Sequence, residues 1–238
     1  MAAVVAQEVT PVVMSAPAPK LQYDRSHDCL HDGSGLRFDP HRLEWHPAGT
    51  ELGGEPIAPV AAVRWLQRES GTPSRQPIGV IGGRHATHVQ ATAAHALGTA
   101  LADLGLTVLC GGRRGVMLAV CEGVAAKGGI SVGLLPGETI ADGNPYVTIP
   151  IPTGIGLARN SLIARAALCL VAIGGSYGTL SEVAFGMQYG KRVFGLEGAP
   201  HVEGVEHMPT VEAAIHAIAR VVLRLDGEAA LPYETREA

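Results

Sequence analysis

Residues Leu168 to Glu182 read LCLVAIGGSYGTLSE, and the fold is decided by this stretch. The apolar run Leu168 to Ile173 has the length and continuity of a strand buried on both faces, as in a parallel sheet. Gly174, Gly175 and Gly178 allow a sharp turn and leave room for a ligand to approach the main chain. Thr179 to Tyr189 then reads as a helix with Glu182 in its first turn. Free N–H groups at that helix start, together with its dipole, favour an anion such as phosphate. A carboxylate crowds an anion, so Glu182 is expected beside a sugar instead. The alternative is an ordinary strand-to-helix turn in which Glu182 only stabilises the helix dipole.

The same grammar repeats on both sides of this stretch. Ile78 to Ile81 is an apolar strand, followed by Gly82-Gly83 and a helix through about Leu104. Leu106 to Cys110 leads into Gly111-Gly112-Arg113-Arg114-Gly115 and a helix to about Lys127. Ile130 to Leu135 and Val147 to Ile151 are further strands, and a helix spans about Leu157 to Ala166. Arg192 to Leu196 and the amphipathic helix Val211 to Leu225 complete the series. Strands alternating with helices imply right-handed βαβ units, hence an α/β, doubly wound, mainly parallel sheet. Ligands of such sheets bind beyond the carboxyl ends of the strands. Three glycine-rich turns fall there, at Gly82-Gly83, Gly111 to Gly115 and Gly174 to Gly178. None matches GxGxxG, and no GxxxxGK[ST] loop is present, which argues against NAD binding and NTP hydrolysis.

Upstream of Pro77 the pattern is different. Residues 21–57 are rich in His, Asp, Gly and Pro, with a short hairpin expected around Asp39-Pro40. Pro59 to Glu69 reads as a helix and Gly71 to Gln76 as a polar linker. The expected organisation is a disordered tail over 1–20, an extension over 21–76, a nucleotide-binding domain over 77–226 and a tail over 227–238.

Composition narrows the function classes. Among 238 residues, 31 are glycine and only 4% aromatic, which suits helices packed closely on a parallel sheet. A net charge of −4 gives no electrostatic footprint for nucleic acid. No run of apolar residues is long enough to span a membrane. The four cysteines lack CxxC spacing, and Cys110 and Cys169 read as buried thiols of a reducing cytoplasm. His27, Cys29 and His31 alternate as on one strand face, but the remaining ligand spacing of a zinc site is missing, so no metal is expected. His85, His88 and His95 read as solvated or intersubunit side chains. Ser176 lies in GGSYG rather than GxSxG, which makes it a phosphate-binding hydroxyl rather than a nucleophile.

The motifs Gly111 to Met117, Leu135-Pro136-Gly137, Asn144-Pro145-Tyr146, Arg159-Asn160 and Gly174 to Glu182 occur in one order and spacing. Together they resemble the Rossmann-like family of molybdenum-cofactor carrier proteins, related to the LOG ("lonely guy") phosphoribohydrolases. The resemblance covers about Pro77 to Gly198. It implies a nucleotide- or phosphoribosyl-binding protein with two alternative activities. One is cleavage of the N-glycosidic bond of a nucleoside 5′-monophosphate to base and ribose 5-phosphate, with no cofactor required. The other is non-catalytic carriage of molybdenum cofactor or another phosphorylated ligand. The hydrolase motif PGGxGTxxE has Pro where Gly174 stands and Gly where Ser176 stands, and its Arg-Lys pair becomes Arg159-Asn160.

In the hydrolytic alternative, Glu182 stabilises the oxocarbenium charge at C1′ and positions water, and Arg159 grips phosphate or the leaving group. The ligand and its phosphate are assigned to Gly82, Gly83, Gly111, Gly112, Arg113, Gly115, Asn144, Asn160, Gly174, Gly175, Ser176, Tyr177, Gly178 and Thr179. Arg114 stands where the resembled family usually has glycine. Without a ligand role, Arg159 would be a helix-surface ion pair and Arg113-Arg114 solvent-facing or at a subunit contact. The expected partner is a phosphorylated small molecule, nucleoside monophosphate or pterin, and the expected assembly is a homo-oligomer, dimer or tetramer.

Overall fold

The computed structural model describes residues 20–226, so the tails expected at either end lie outside the described residues apart from Lys20. The extension folds as an antiparallel sheet in the order β4-β3-β2-β1-β5. Its strands are β1 (Gln22–Asp24), β2 (Cys29–His31), β3 (Leu36–Asp39), β4 (Glu44–Pro47) and β5 (Glu55–Pro56). The hairpin read around Asp39-Pro40 is β3–β4, with Phe38 opposite Trp45 and their rings 5.2 Å apart. Strands β1, β2 and β5 carry no sequence signal because two or three residues are too few to display a period.

The polar side chains of this sheet are engaged with one another and with its loops. Asp24 is buried and accepts from the Ser26 hydroxyl, the His27 ring and the Gly53 N–H, so its carboxyl lies far below the usual range. His27 therefore sits in a turn rather than on the strand face of Cys29 and His31. His31 instead contacts the Gly53 carbonyl and the Gly33 N–H. Among the described residues, no group of three His, Cys, Asp or Glu side chains is placed to hold a metal ion.

Helix α1 (Pro59–Arg68) joins this sheet to a parallel one ordered β12-β11-β10-β6-β7-β8-β9. Its strands are β6 (Ile78–Gly82), β7 (Val108–Cys110), β8 (Ser131–Leu135), β9 (Ile149–Pro152), β10 (Leu170–Ile173), β11 (Val193–Leu196) and β12 (Val205–His207). The helices between and after them are α2 (His88–Leu104), α3 (Val116–Ala125), α4 (Arg159–Ala166), α5 (Tyr177–Gln188) and α6 (Val211–Val222). This is the doubly wound, Rossmann-like α/β architecture, and the extension is a second, antiparallel sheet.

Strand alternation feeds two cores. Val171 and Ile173 face the core built with α1, α2, α3 and α6, whereas Leu170 and Ala172 face the core shared with α4 and α5. Leu21, Leu30 and Phe38 of the extension belong to the first core, and the Trp45 indole donates to the Leu223 carbonyl at 2.8 Å. Edge strand β9 reads Ile-Pro-Ile-Pro, and its prolines need no outer partner there. It starts two residues later than the sequence suggests, because Val147 closes a turn onto Asn144. Strand β12 was not anticipated. No helix among the described residues is long and apolar enough to cross a membrane.

Leu66 on α1 is fully buried in the first core, to which both the extension and the parallel-sheet layer contribute. Leu66→Ala is expected to lower stability by about 2–5 kcal/mol. Urea unfolding followed by far-UV circular dichroism checks this; a loss below 0.5 kcal/mol would mean that α1 is an accessory.

Candidate functional site

The chain runs from β6 outward through β7, β8 and β9, then returns to place β10 on the other side of β6. The strand order reverses between β6 and β10, and the crossovers diverge there to leave a crevice at the carboxyl ends. Gly82-Gly83 and Gly174-Gly175 stand at those two strand ends, with Gly111 at the end of β7. A cavity of about 510 Å³ occupies the crevice.

Its polar floor is an ion pair. Arg159 Nη1 donates to Glu182 Oε1 at 2.9 Å, and both side chains are buried, with 6% and 7% exposure. Burial raises the Glu182 carboxyl to about 7, against the downward pull of the Arg159 guanidinium. Arg159 reaches this position because the polypeptide before α4 tightens into a 3-10 turn over Gly156–Ala158, which makes Arg159 the first residue of the helix. Gly111 is the other condition: a Cβ there would collide with the guanidinium and come within 2.8 Å of the Met117 sulfur. Arg159 is thus a buried ion pair and not the helix-surface one considered from sequence.

Helix α5 begins at Tyr177, two residues before the position read from sequence, with Ser176 as an uncapped N-cap. Glu182 consequently lies in the second turn, so it cannot serve as a first-turn partner of the dipole. The N–H groups of the first turn face the crevice end of the helix without a side-chain cap. Asn160 ties α4 to this turn through its amide, which donates to the Gly178 carbonyl at 3.3 Å and to Ser181 Oγ at 3.0 Å.

Three buried polar atoms around this cavity have no partner among the described residues: Arg159 Nε, Asn160 Oδ1 and Thr179 Oγ1. Asn160 and Thr179 are only 4% and 1% exposed, so bulk water does not serve them. Buried polar atoms in folded proteins are almost always paired, and a cluster of exceptions marks a place where something else supplies the partner. Ile81, Met117 and Leu157 give the same cavity an apolar wall.

Of the residues assigned from sequence, the cavity brings together Gly82, Gly83, Gly111, Arg159, Asn160, Gly175, Ser176, Gly178, Thr179 and Glu182. The others lie elsewhere. Gly174 (φ +55°) packs against Gln90, where a side chain would strike the amide. Gly115 (φ +65°) lies against the Gly83 carbonyl and Arg84, and Gly112 packs on Gly133. Tyr177 is 92% exposed, its ring outside the crevice. Arg113 and Asn144 line an adjoining cavity. Arg84, His85, Met117 and Leu157 line the main cavity without having been singled out as ligand contacts. The single usable signal was that Arg84-His85 follows Gly82-Gly83 directly. All four cysteines are buried free thiols, and burial pushes Cys169 up to about 12.

The model of the SLOG cluster4 family matches residues 75–223. The chain belongs to the SLOG cluster4 family. The match extends past Gly198, where the motif resemblance ended, because β12 and α6 carry packing residues and no motif. The molybdenum cofactor binding protein of Rippkaea orientalis is similar in structure, with 31% identity over 62% of this chain and 98% of its own, at a TM-score of 0.59. The molybdenum cofactor carrier protein of Chlamydomonas reinhardtii is 34% identical over 62% of this chain and 99% of its own, at 0.58. An uncharacterized protein of Archaeoglobus fulgidus shares 38% identity over 116 residues, 49% of this chain and 76% of its own.

Two outcomes test this geometry. Gly111→Ala is expected to displace Arg159 and cost about 1–3 kcal/mol, read by urea unfolding; unchanged stability would contradict the close approach. The raised Glu182 pKa means that the folded state holds the proton more tightly than the unfolded state, so this group's stabilising contribution falls as pH rises from about 4.5 to about 7. The stability of Glu182→Gln relative to wild type should accordingly improve between pH 5 and pH 8, by up to about 3 kcal/mol. A difference independent of pH would argue against a raised carboxyl.

Proposed function

We propose that this protein binds a phosphorylated small molecule in the crevice between β6 and β10 and acts as its carrier, with a ligand of the molybdenum-cofactor type as cargo. The observation that carries the reading is the set of unpartnered buried atoms on Arg159, Asn160 and Thr179 around one cavity. The Thr179 hydroxyl and the first N–H groups of α5 would hold the phosphate. Asn160 Oδ1 would accept from a ligand amino or hydroxyl group, and Arg159 Nε would donate to a ligand acceptor. Ile81, Met117 and Leu157 would face the ring system. The similarity to two proteins described as molybdenum cofactor binding or carrier proteins, over nearly their whole length, supports the same reading.

Glu182 favours a second reading, phosphoribohydrolysis. A carboxyl near 7 beside a guanidinium is suited to proton transfer at neutral pH. There, water adds through oxygen to C1′, the C1′–N electron pair leaves with the base, and the proton lost by water passes to Glu182. The leaving nitrogen takes up a proton, giving free base and ribose 5-phosphate. Ser176 and Asn160, which stand where the hydrolase motif has Gly and Lys, favour the carrier reading over this one. A homo-oligomer in the cytoplasm is part of either proposal. Exposed Ile151, Ile155, Leu162 and Leu180 are available for the contact, and sedimentation equilibrium reads the assembly directly.

Calorimetric titration with a phosphorylated pterin, and release of base from a panel of nucleoside monophosphates, separate the readings. The carrier predicts binding without base release, and Thr179→Ala should weaken that binding by about tenfold. Base release that disappears in Glu182→Gln would establish the hydrolase. Absence of binding to every phosphorylated probe would overturn both.

A further inference from the structure

A second cavity, of about 720 Å³, adjoins the first, and Arg84 and His85 line both. Arg113 and Arg114 line it from the turn after β7, and Asp142 and Asn144 line it from the loop after β8. Three arginines and one aspartate therefore line it. Among the described residues none of the three arginines has an ion-pair partner. Uncompensated guanidiniums gathered in a concave site attract a multiply charged anion, and their forked donors match phosphate oxygens.

The arginine turn is held in place before any ligand arrives. The Asn144 N–H donates to the Gly112 carbonyl at 2.9 Å, and the Asn144 amide donates to the Arg113 carbonyl at 3.0 Å. On its other side, the Val116 N–H donates to the Gly83 carbonyl at 3.1 Å. A fixed backbone lowers the ordering cost of binding. Each cavity alone falls in the range of about 300–1,000 Å³ that accommodates one small ligand. A single phosphate on α5 leaves the arginines of the second cavity unmatched.

We infer that the ligand of this site carries a second phosphoryl group, seated among Arg84, Arg113 and Arg114, so that its class is a doubly phosphorylated or diphosphate-bridged compound, such as a nucleotide derivative of the proposed cargo. This rests on the phosphate reading of the α5 cavity. It also accounts for Arg114, an exposed arginine inside a glycine-rich turn.

The test is isothermal titration of the full chain at fixed ionic strength. The probes are adenosine 5′-monophosphate, adenosine 5′-diphosphate, adenosine 3′,5′-bisphosphate, ADP-ribose and inorganic diphosphate. At least one two-phosphate nucleotide should bind about tenfold or more tighter than the monophosphate. Arg114→Ala should remove that advantage and leave monophosphate binding unchanged, while Arg114→Lys recovers only part of it. Which nucleotide shows the advantage reports the spacing of the two phosphates. Two-phosphate nucleotides that bind no tighter than the monophosphate, or an advantage that survives Arg114→Ala, would overturn the inference. Inorganic diphosphate binding that depends on Arg114, without monophosphate binding, would support the arginine cavity and overturn the α5 phosphate reading. With no probe bound, both fall.

Discussion

A guanidinium and a carboxylate held out of water at 2.9 Å are the constraint to which the carboxyl ends of the strands conform. Removing two charges from water is costly, and a buried pair is tolerated only where geometry and further hydrogen bonds compensate. Here the compensation is incomplete, because Arg159 Nε is unpaired and the Glu182 carboxyl is driven up to about 7. The surroundings nevertheless hold the pair in place. Gly111 leaves the space the guanidinium fills, and the 3-10 turn at Gly156–Ala158 aims it. Such a pair is poorly explained as a source of stability; the role proposed for it is in ligand binding.

Topology brings these groups to one place. Arg159 and Glu182 are separated by 23 residues, and the glycine turns at Gly82, Gly111 and Gly174 belong to three different strands. They converge because β10 returns to pair with β6, next to β7, and not because any local segment specifies a pocket. The same convergence sets the arginine cavity beside the first. The turn after β7 packs on the turn after β6 through Gly115 and Gly83, so Arg84 and His85 come to wall both spaces.

The parallel sheet was legible because its interior strands are short, mostly apolar runs that end at or near a glycine, with helical segments alternating between them. The glycine turn that follows β10 was legible for the same reason. Much of the extension was not. Its strands are two to four residues long and are held by pairing across the sheet and by Trp45 on Leu223, neither of which leaves a periodic trace. The start of α5 was misplaced by two residues because Tyr177-Gly178 has little helix propensity of its own. That small shift moved Glu182 from the first turn into the second and changed what it can do.

From one-dimensional information alone came the doubly wound fold, the family resemblance and the nomination of Arg159 and of Glu182 as candidates, because motif order and apolar runs are local properties of the chain. The division of the assigned residues between two cavities, the burial of the ion pair, the unpartnered atoms of Asn160 and Thr179, and the shared wall of Arg84 and His85 were decided only by the tertiary structure. Those properties depend on which strand lies next to which, and on the desolvation that close packing imposes on charges distant in sequence.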